Sequence, residues 1–293
     1  LLNDPRINIY VQNNKFIKLA TGNLDILKLL IKKYHVDPKM NNNMLIASAA
    51  HIGNINTVRY LIDQFDIDPS INNNEPLIAA CAFQPGIYTN IEIVKLLLNY
   101  PQVNLTTRNN YPLYVACKFG NDEIVKFLLD QPEVDPSARN SACLNVAVKY
   151  GKSKVLSLLL KDSRLDPRTI PIKLIKRACI KGYLPNINLL FNDERFDPSM
   201  NNNIILLTLV KYGQRRILRM IIQSNRINPA IPNNDSLREA IRNADKQTVD
   251  DDISEDRKNL YKDIVFLLLQ DQRVYTSAMD DIYLSEYIQN MKR

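Results

Sequence analysis

The sequence predicts an all-α solenoid of stacked helix pairs joined by turns. Three observations carry that prediction. An apolar residue followed by Asp or Asn recurs at Asn8, Asp37, Asp68, Asn104, Asp135, Asp166, Asp197 and Asn228, with Tyr275 in the same slot last, and five of the eight intervals are 31 residues. Inside each copy, two short apolar runs keep helical spacing. Asn, Gly and Pro punctuate these runs at fixed offsets.

The copy that begins at Asn104 shows the elements most clearly. Leu113, Ala116 and Cys117, at i, i+3 and i+4, predict a first helix, and Ile124, Val125, Leu128 and Leu129 predict a second. Gly120 is placed to end the first helix in a left-handed conformation, and Gly22, Gly53, Gly151, Gly182 and Gly213 hold the same slot. Ahead of the first helix, Asn42, Asn73, Asn109, Asn140, Asn202 and Asn233 share one position, the expected tip of a hairpin turn, because Asn tolerates positive φ. Pro38, Pro69, Pro136, Pro167, Pro198 and Pro229 follow the Asp/Asn slot and fix an extended chain there. The sixth copy has lost its turn Asn (Thr169, Ile170, Pro171), and its second helix opens on Pro185, which a first turn accepts. Helices of about ten residues are unstable alone in water, so each pair must bury its apolar stripe against its neighbours.

The irregular intervals are 29, 36 and 47 residues, which places insertions near 84–89 and 244–260. A single solenoid over 1–293 is expected, of about eight repeats, starting mid-repeat because Leu1 aligns with Leu159. Upstream sequence, and any targeting signal with it, is expected to precede Leu1. Residues 276–293, with Ile282, Leu284, Tyr287, Ile288 and Met291 at helical spacing, are expected to form a C-terminal capping helix.

Composition narrows the function classes. With 45% hydrophobic and 24% charged residues over 293 positions, the chain reads as globular. No apolar run approaches the roughly 18 to 20 residues of a membrane helix, so no membrane insertion is expected. The net charge of +7 fits an acidic partner, nucleic acid or solubility alone, and the dispersal of the lysines and arginines speaks against nucleic acid. Cys81, Cys117 and Cys179 fall on helix-packing positions and Cys143 in a proline slot, which reads as buried thiols, not a disulfide framework. Only His35 and His51 are available as imidazoles, no C-x-x-C occurs, and no Gly-rich phosphate loop is present, so no metal, cofactor or catalytic group is assigned. The run Asp250, Asp251, Asp252, Glu255, Asp256 lacks the alternation of a calcium loop and reads as solvated insertion.

Tyr111, Pro112, Leu113, Ala116, Cys117 and Gly120, and then Glu75, Pro76, Leu77, Ala80 and Cys81, follow T-P-L-x-x-A-A-x-x-G. Ile93, Val94, Leu97 and Leu98, and again Val155, Leu156, Leu159 and Leu160, follow V-V-x-x-L-L. Recurring in register, these motifs resemble the ankyrin repeat. The chain departs from that family in its 31-residue period, where about 33 is usual, in Asn replacing the hairpin Gly, and in Tyr114, Asn145 and Lys176 standing where the family has His. The short, Asn-rich, Asp-Pro variant is similar to ankyrin proteins of large DNA viruses of amoebae and of amoeboid organisms. That likeness implies a cytoplasmic protein, in the host cytoplasm if viral.

The resemblance implies a non-catalytic, monomeric scaffold that binds a protein partner through turn tips and the inner helix face. On that face Lys118, Lys149 and Lys211 would form a basic ladder beside Phe119, Tyr150 and Tyr212, with Tyr114 among the contact residues, while Arg108, Asn110, Tyr111, Arg139 and Ser141 would line the tips, suiting an acidic partner. Packing between repeats is the competing reading for the aromatics, and ordinary solvation for the lysines. Arg215, Arg216 and Arg219 share one face of a second helix and are expected to be solvated. Two other functions remain open: a substrate-recruiting adaptor of a ubiquitin-ligase or host-subversion system, and an acidic-polymer or nucleic-acid binder.

Overall fold

The computed structural model describes residues 11–82, 90–245 and 255–291, and every regular element among them is helical. The chain divides into two compact units, Leu1–Leu165 and Asp166–Arg293. The first contains five helix pairs: α1 (Val11–Ala20) with α2 (Leu24–Tyr34), α3 (Met40–Ile52) with α4 (Ile55–Phe65), α5 (Ile71–Cys81) with α6 (Ile91–Leu98), α7 (Thr107–Phe119) with α8 (Asp122–Leu129), and α9 (Ala138–Lys149) with α10 (Ser153–Lys161). First helices pack on first helices and second on second, so the unit has two layers with the core between them. The second unit repeats the plan in α11 (Ile172–Ile180) and α12 (Leu184–Asn192), α13 (Met200–Lys211) and α14 (Arg215–Gln223), α15 (Asp235–Ala244) and α16 (Glu255–Leu269), followed by α17 (Gln272–Met279) and α18 (Ile282–Met291). This is an all-α repeat solenoid.

The predicted stripes form the core. Leu113, Ala116, Cys117, Ile124, Val125 and Leu128 are all buried. The final leucine of the second-helix pattern behaves differently: Leu98, Leu129 and Leu160 are only half-buried at the layer's edge.

The turns carry the chain's most distinctive geometry. Instead of a hairpin tip with one special residue, five repeats place three consecutive residues in the left-handed region: Asn41–Asn43, Asn72–Asn74, Arg108–Asn110, Arg139–Ser141 and Asn201–Asn203, with φ between 48° and 62°. Asn is the cheapest non-Gly residue there, because its short polar side chain hydrogen-bonds locally, and this accounts for the asparagine runs. Just upstream, the Asp-Pro dipeptide is an Asx turn. The Oδ1 atoms of Asp68, Asp135 and Asp197 each accept the N–H two residues on, from Ser70, Ser137 and Ser199, at 2.8 Å. Asn104 does the same for Thr106, also at 2.8 Å. The slot therefore requires an acceptor oxygen, which either Asp or Asn supplies, and Pro presets the φ of the intervening residue.

Gly53, Gly120, Gly151, Gly182 and Gly213 close their helices at positive φ, but Gly22 does not. At Gly120 (φ 88°) the left-handed conformation demands glycine, and a Cβ would also press on the flexible Lys152 side chain, 2.8 Å from its Cδ. In the sixth repeat the missing turn Asn has its counterpart in structure: a 3₁₀ turn, Pro167–Thr169, replaces the left-handed run, and Pro185 sits in the first turn of α12.

The insertion expected at 84–89 lies outside the described residues. That at 244–260 is described only at its edges, where Ala244 ends α15 and α16 starts at Glu255, so of the acidic run only Glu255 and Asp256 fall within the description. The tail contains two helices. In α18 Leu284 and Ile288 are buried while Ile282 is 80% exposed. Arg238 pairs with Asp281, and Asn234 Nδ2 donates to Ser277 Oγ at 2.9 Å, tying the tail to α15 and its turn.

All four cysteines are free and buried. Burial pushes the Cys81 and Cys179 thiols up to about 12. Burial also raises Cys117 well above the ordinary value, helped by a side-chain hydrogen bond with Cys143. These two thiols meet because they occupy different slots of adjacent repeats, a pairing that alignment of equivalent slots does not bring out.

Candidate interaction surface

The joints between repeats decide which side chains remain free. The third residue of the left-handed run is buried at Asn74, Asn110, Ser141 and Asn203. Asn74 Oδ1 accepts the Asn104 N–H at 2.8 Å, and Asn110 Oδ1 accepts the Asp135 N–H at 3.0 Å. Asn110 and Ser141, both expected at the contact surface, are therefore taken up by the interior. Residues that open three of the second helices, and Tyr261 within α16, reach back to the preceding repeat. Asn90 Nδ2 donates to Ala50 O at 2.9 Å, Asn121 Nδ2 to Cys81 O at 2.8 Å, Gln214 Nε2 to Ile180 O at 3.1 Å and Tyr261 OH to Lys211 O at 2.7 Å. Each satisfies a carbonyl that the end of a helix would leave open.

Arginines of the loops play the same part. Arg164 donates to Leu129 O at 3.0 Å and Val134 O at 2.9 Å while holding Asp162 at 2.6 Å. Arg226 donates to Phe191 O and Phe196 O. Arg215, expected to be solvated, pairs with Asp263 at 2.8 Å; its face-mates Arg216 and Arg219 are exposed.

Within the first unit the remaining predicted residues gather on the first-helix face. Tyr111 and Tyr114, one turn apart on α7, stack with centroids 5.5 Å apart and planes at 18°. Arg139, exposed at the start of the next left-handed run, places Cζ 5.2 Å from the Tyr111 centroid and 5.3 Å from that of Tyr114, a separation at which a cation is attracted to the ring faces. Arg139 Nη1 donates to Arg108 O at 3.3 Å. Arg108 in turn donates to Asn72 O at 2.7 Å and to Glu75 Oε2 at 3.0 Å. Sequence reasoning singled out these arginines and tyrosines but missed Glu75 as Arg108's partner. Glu75 occupies, one repeat earlier, the position of Tyr111, so the repeat alignment holds the signal.

Lys118 and Lys149 are half-buried, with Nζ 5.6 Å from the Phe119 ring centroid and 5.2 Å from that of Tyr150. Tyr150 is 40% exposed, so packing between repeats does not consume it. In the second unit Lys211 is exposed and Tyr212 is 49% exposed. Sequence reasoning also missed an open groove of about 560 Å³ on the first-helix face of the first unit, floored by Ala47, Ile78 and Ala79 and walled by Leu19, Met44 and Glu75. Small residues at facing positions of successive repeats create it.

A family model of ankyrin repeats (3 copies) matches residues 16–109 and 87–169, together more than half of the chain. The chain belongs to the ankyrin-repeat family. Past the matched span, the ankyrin plan of paired helices continues, with a left-handed run at Asn201–Asn203. No curated protein matches the chain in sequence. Ankyrin repeats generally mediate protein–protein interaction and are typically non-catalytic. Among the described residues, no cluster of three His, Cys, Asp or Glu side chains is placed to hold a metal, and no helix is long and apolar enough to cross a membrane.

Proposed function

We propose that this chain is a non-catalytic interaction scaffold whose first unit binds an acidic surface of a protein partner through Arg108, Tyr111, Tyr114, Lys118, Arg139, Lys149 and Tyr150. The observation that supports the reading is a charge imbalance. Arg139, Lys118 and Lys149 rest on aromatic rings with no acidic partner among the described residues, while the neighbouring Glu75 is already paired with Arg108. Cations left without an acidic partner on an aromatic support favour a negatively charged partner and speed its encounter. Lys211 and Tyr212 would serve the same purpose in the second unit. The proposal includes action as a monomer in the cytoplasm, in the host's if the chain is viral, where recruiting a substrate to other machinery would be one use of the scaffold.

The test is the charge reversal Lys118→Glu with Lys149→Glu. Proteins captured by the wild type should be lost from the variant, with a melting temperature lowered by no more than a few degrees. A collapse of melting would make these lysines structural and sink the reading. Nucleic acid is an outcome of the same test: if the captured material is RNA or DNA, and binding falls steeply as salt rises, the protein-binding reading is replaced.

A further inference from the structure

The left-handed runs provide an internal control. Three of the five, Asn41–Asn43, Asn72–Asn74 and Asn201–Asn203, use Asn at all three positions; the fourth and fifth repeats instead begin with Arg108 and Arg139, at φ 49° and 59°. Arg lacks the local hydrogen bonds that make this region tolerable for Asn, so the two repeats accept a conformational cost that their siblings avoid. Non-Gly residues held in this way concentrate at functional sites. What the chain gains is visible. The Arg139 guanidinium is held by two ring faces and one carbonyl, and it has no acidic partner among the described residues. Most of its five N–H donors are thus available in a fixed fork, whose geometry matches a carboxylate. Arg108 sits beside it with its charge already offset by Glu75, leaving Arg139 as the unmatched member of that arginine pair.

We infer that Arg139, clamped on Tyr111 and Tyr114, is the specificity-determining residue of the scaffold and receives a carboxylate from an acidic segment of the partner. The inference rests on the protein-binding reading above and deepens it. Arg139 binds through two parallel N–H donors, and the phenol groups beside it add donors at the rim of the site. The tyrosines desolvate one face of the guanidinium and restrict its rotamers, so little side-chain freedom remains to be lost on binding.

A fluorescein-labelled decapeptide of glutamates around one phenylalanine is the probe, with its all-glutamine counterpart and a phosphoserine counterpart beside it. The wild type should bind the glutamate probe, and Arg139→Lys and Arg139→Asn should each weaken binding at least ten-fold, because lysine keeps the charge but not the fork. Lys154→Glu, a charge reversal at an exposed position of α10, should leave binding unchanged. Arg139→Asn should also melt no lower than the wild type, since it restores the residue used by the sibling repeats; a residue kept for packing would melt several degrees lower. The inference is overturned if Arg139→Lys binds as the wild type does, if Arg139→Asn lowers melting by several degrees, if the phosphoserine probe binds more tightly, or if the glutamate probe does not bind. Should both Arg139 variants bind normally while Lys118→Glu with Lys149→Glu does not, the clamp is wrong and the acidic-partner reading survives.

Discussion

Asn110 Oδ1 accepts the backbone N–H of Asp135 at 3.0 Å, joining the left-handed turn of one repeat to the first residue of the next. Asn110 is buried, so its removal leaves that donor without a partner. Asn110→Ala should cost about 1 to 3 kcal/mol in urea denaturation, together with the loss of Asn's left-handed tolerance. Asn109, exposed in the same run, should cost about 1 kcal/mol or less as Ala, the conformational part alone. Equal losses would mean that the joint contributes nothing.

Asp135 makes its Asx turn through an acceptor oxygen, and its charge is incidental to that bond. Asp135→Asn should therefore stay within about 0.5 kcal/mol of the wild type, and Asp135→Ala should lose about 1 kcal/mol. The chain already uses Asn at this slot, at Asn104 and Asn228. A large loss in Asp135→Asn would make the charge essential.

Three loop carboxylates give the stability a pH dependence. Hydrogen bonds from Arg164, Arg195 and Arg273 hold Asp162, Asp193 and Asp271 below the usual carboxylate value, outweighing the opposing effect of burial. A carboxylate depressed in the folded state stabilises the protein above its unfolded pKa of about 3.9, and that contribution disappears as pH falls through the folded value. The urea midpoint should fall as pH drops below about 4, and it should fall less steeply in the combined variant Asp162→Asn, Asp193→Asn, Asp271→Asn. Parallel profiles would assign the acid sensitivity to other groups.

With its thiol at about 12, Cys81 is about one ten-thousandth thiolate at pH 8. The folded protein should react with Ellman's reagent far more slowly than a free thiol, and all four cysteines should react at once in urea. Rapid labelling of the native chain would contradict the buried register of Cys81, Cys117, Cys143 and Cys179.

Much of the fold was legible because its cause is local. Apolar spacing places Leu113 and Leu128 in the core, and the recurring Gly120 slot marks helix ends. The turns were legible only in part: a single Asn tip could be inferred, but three successive left-handed residues depend on what Asn74 and Asn110 bond in the following repeat. The surface follows the same division. Arg139, Tyr111 and Tyr114 stand out by residue type and repeat position. Asn110 looks equally exposed in sequence, because a one-residue advance along a left-handed turn swings the side chain from solvent to interior. The Cys117 contact with Cys143 was hidden for the same reason, since it joins unlike slots across a joint.

Six side-chain bonds across the joints share a direction: Asn90, Asn121, Arg164, Gln214, Arg226 and Tyr261 donate from a later repeat to carbonyls of the one before, whereas Asn203 donates forward to Asn228 O and Ile231 O. A ribosome delivers the chain in that same order. At those six bonds the newest repeat to emerge keeps open carbonyls until its successor arrives to close them, so these joints are finished one repeat behind synthesis. A stalled or truncated chain would carry its unfinished edge at the C-terminal end.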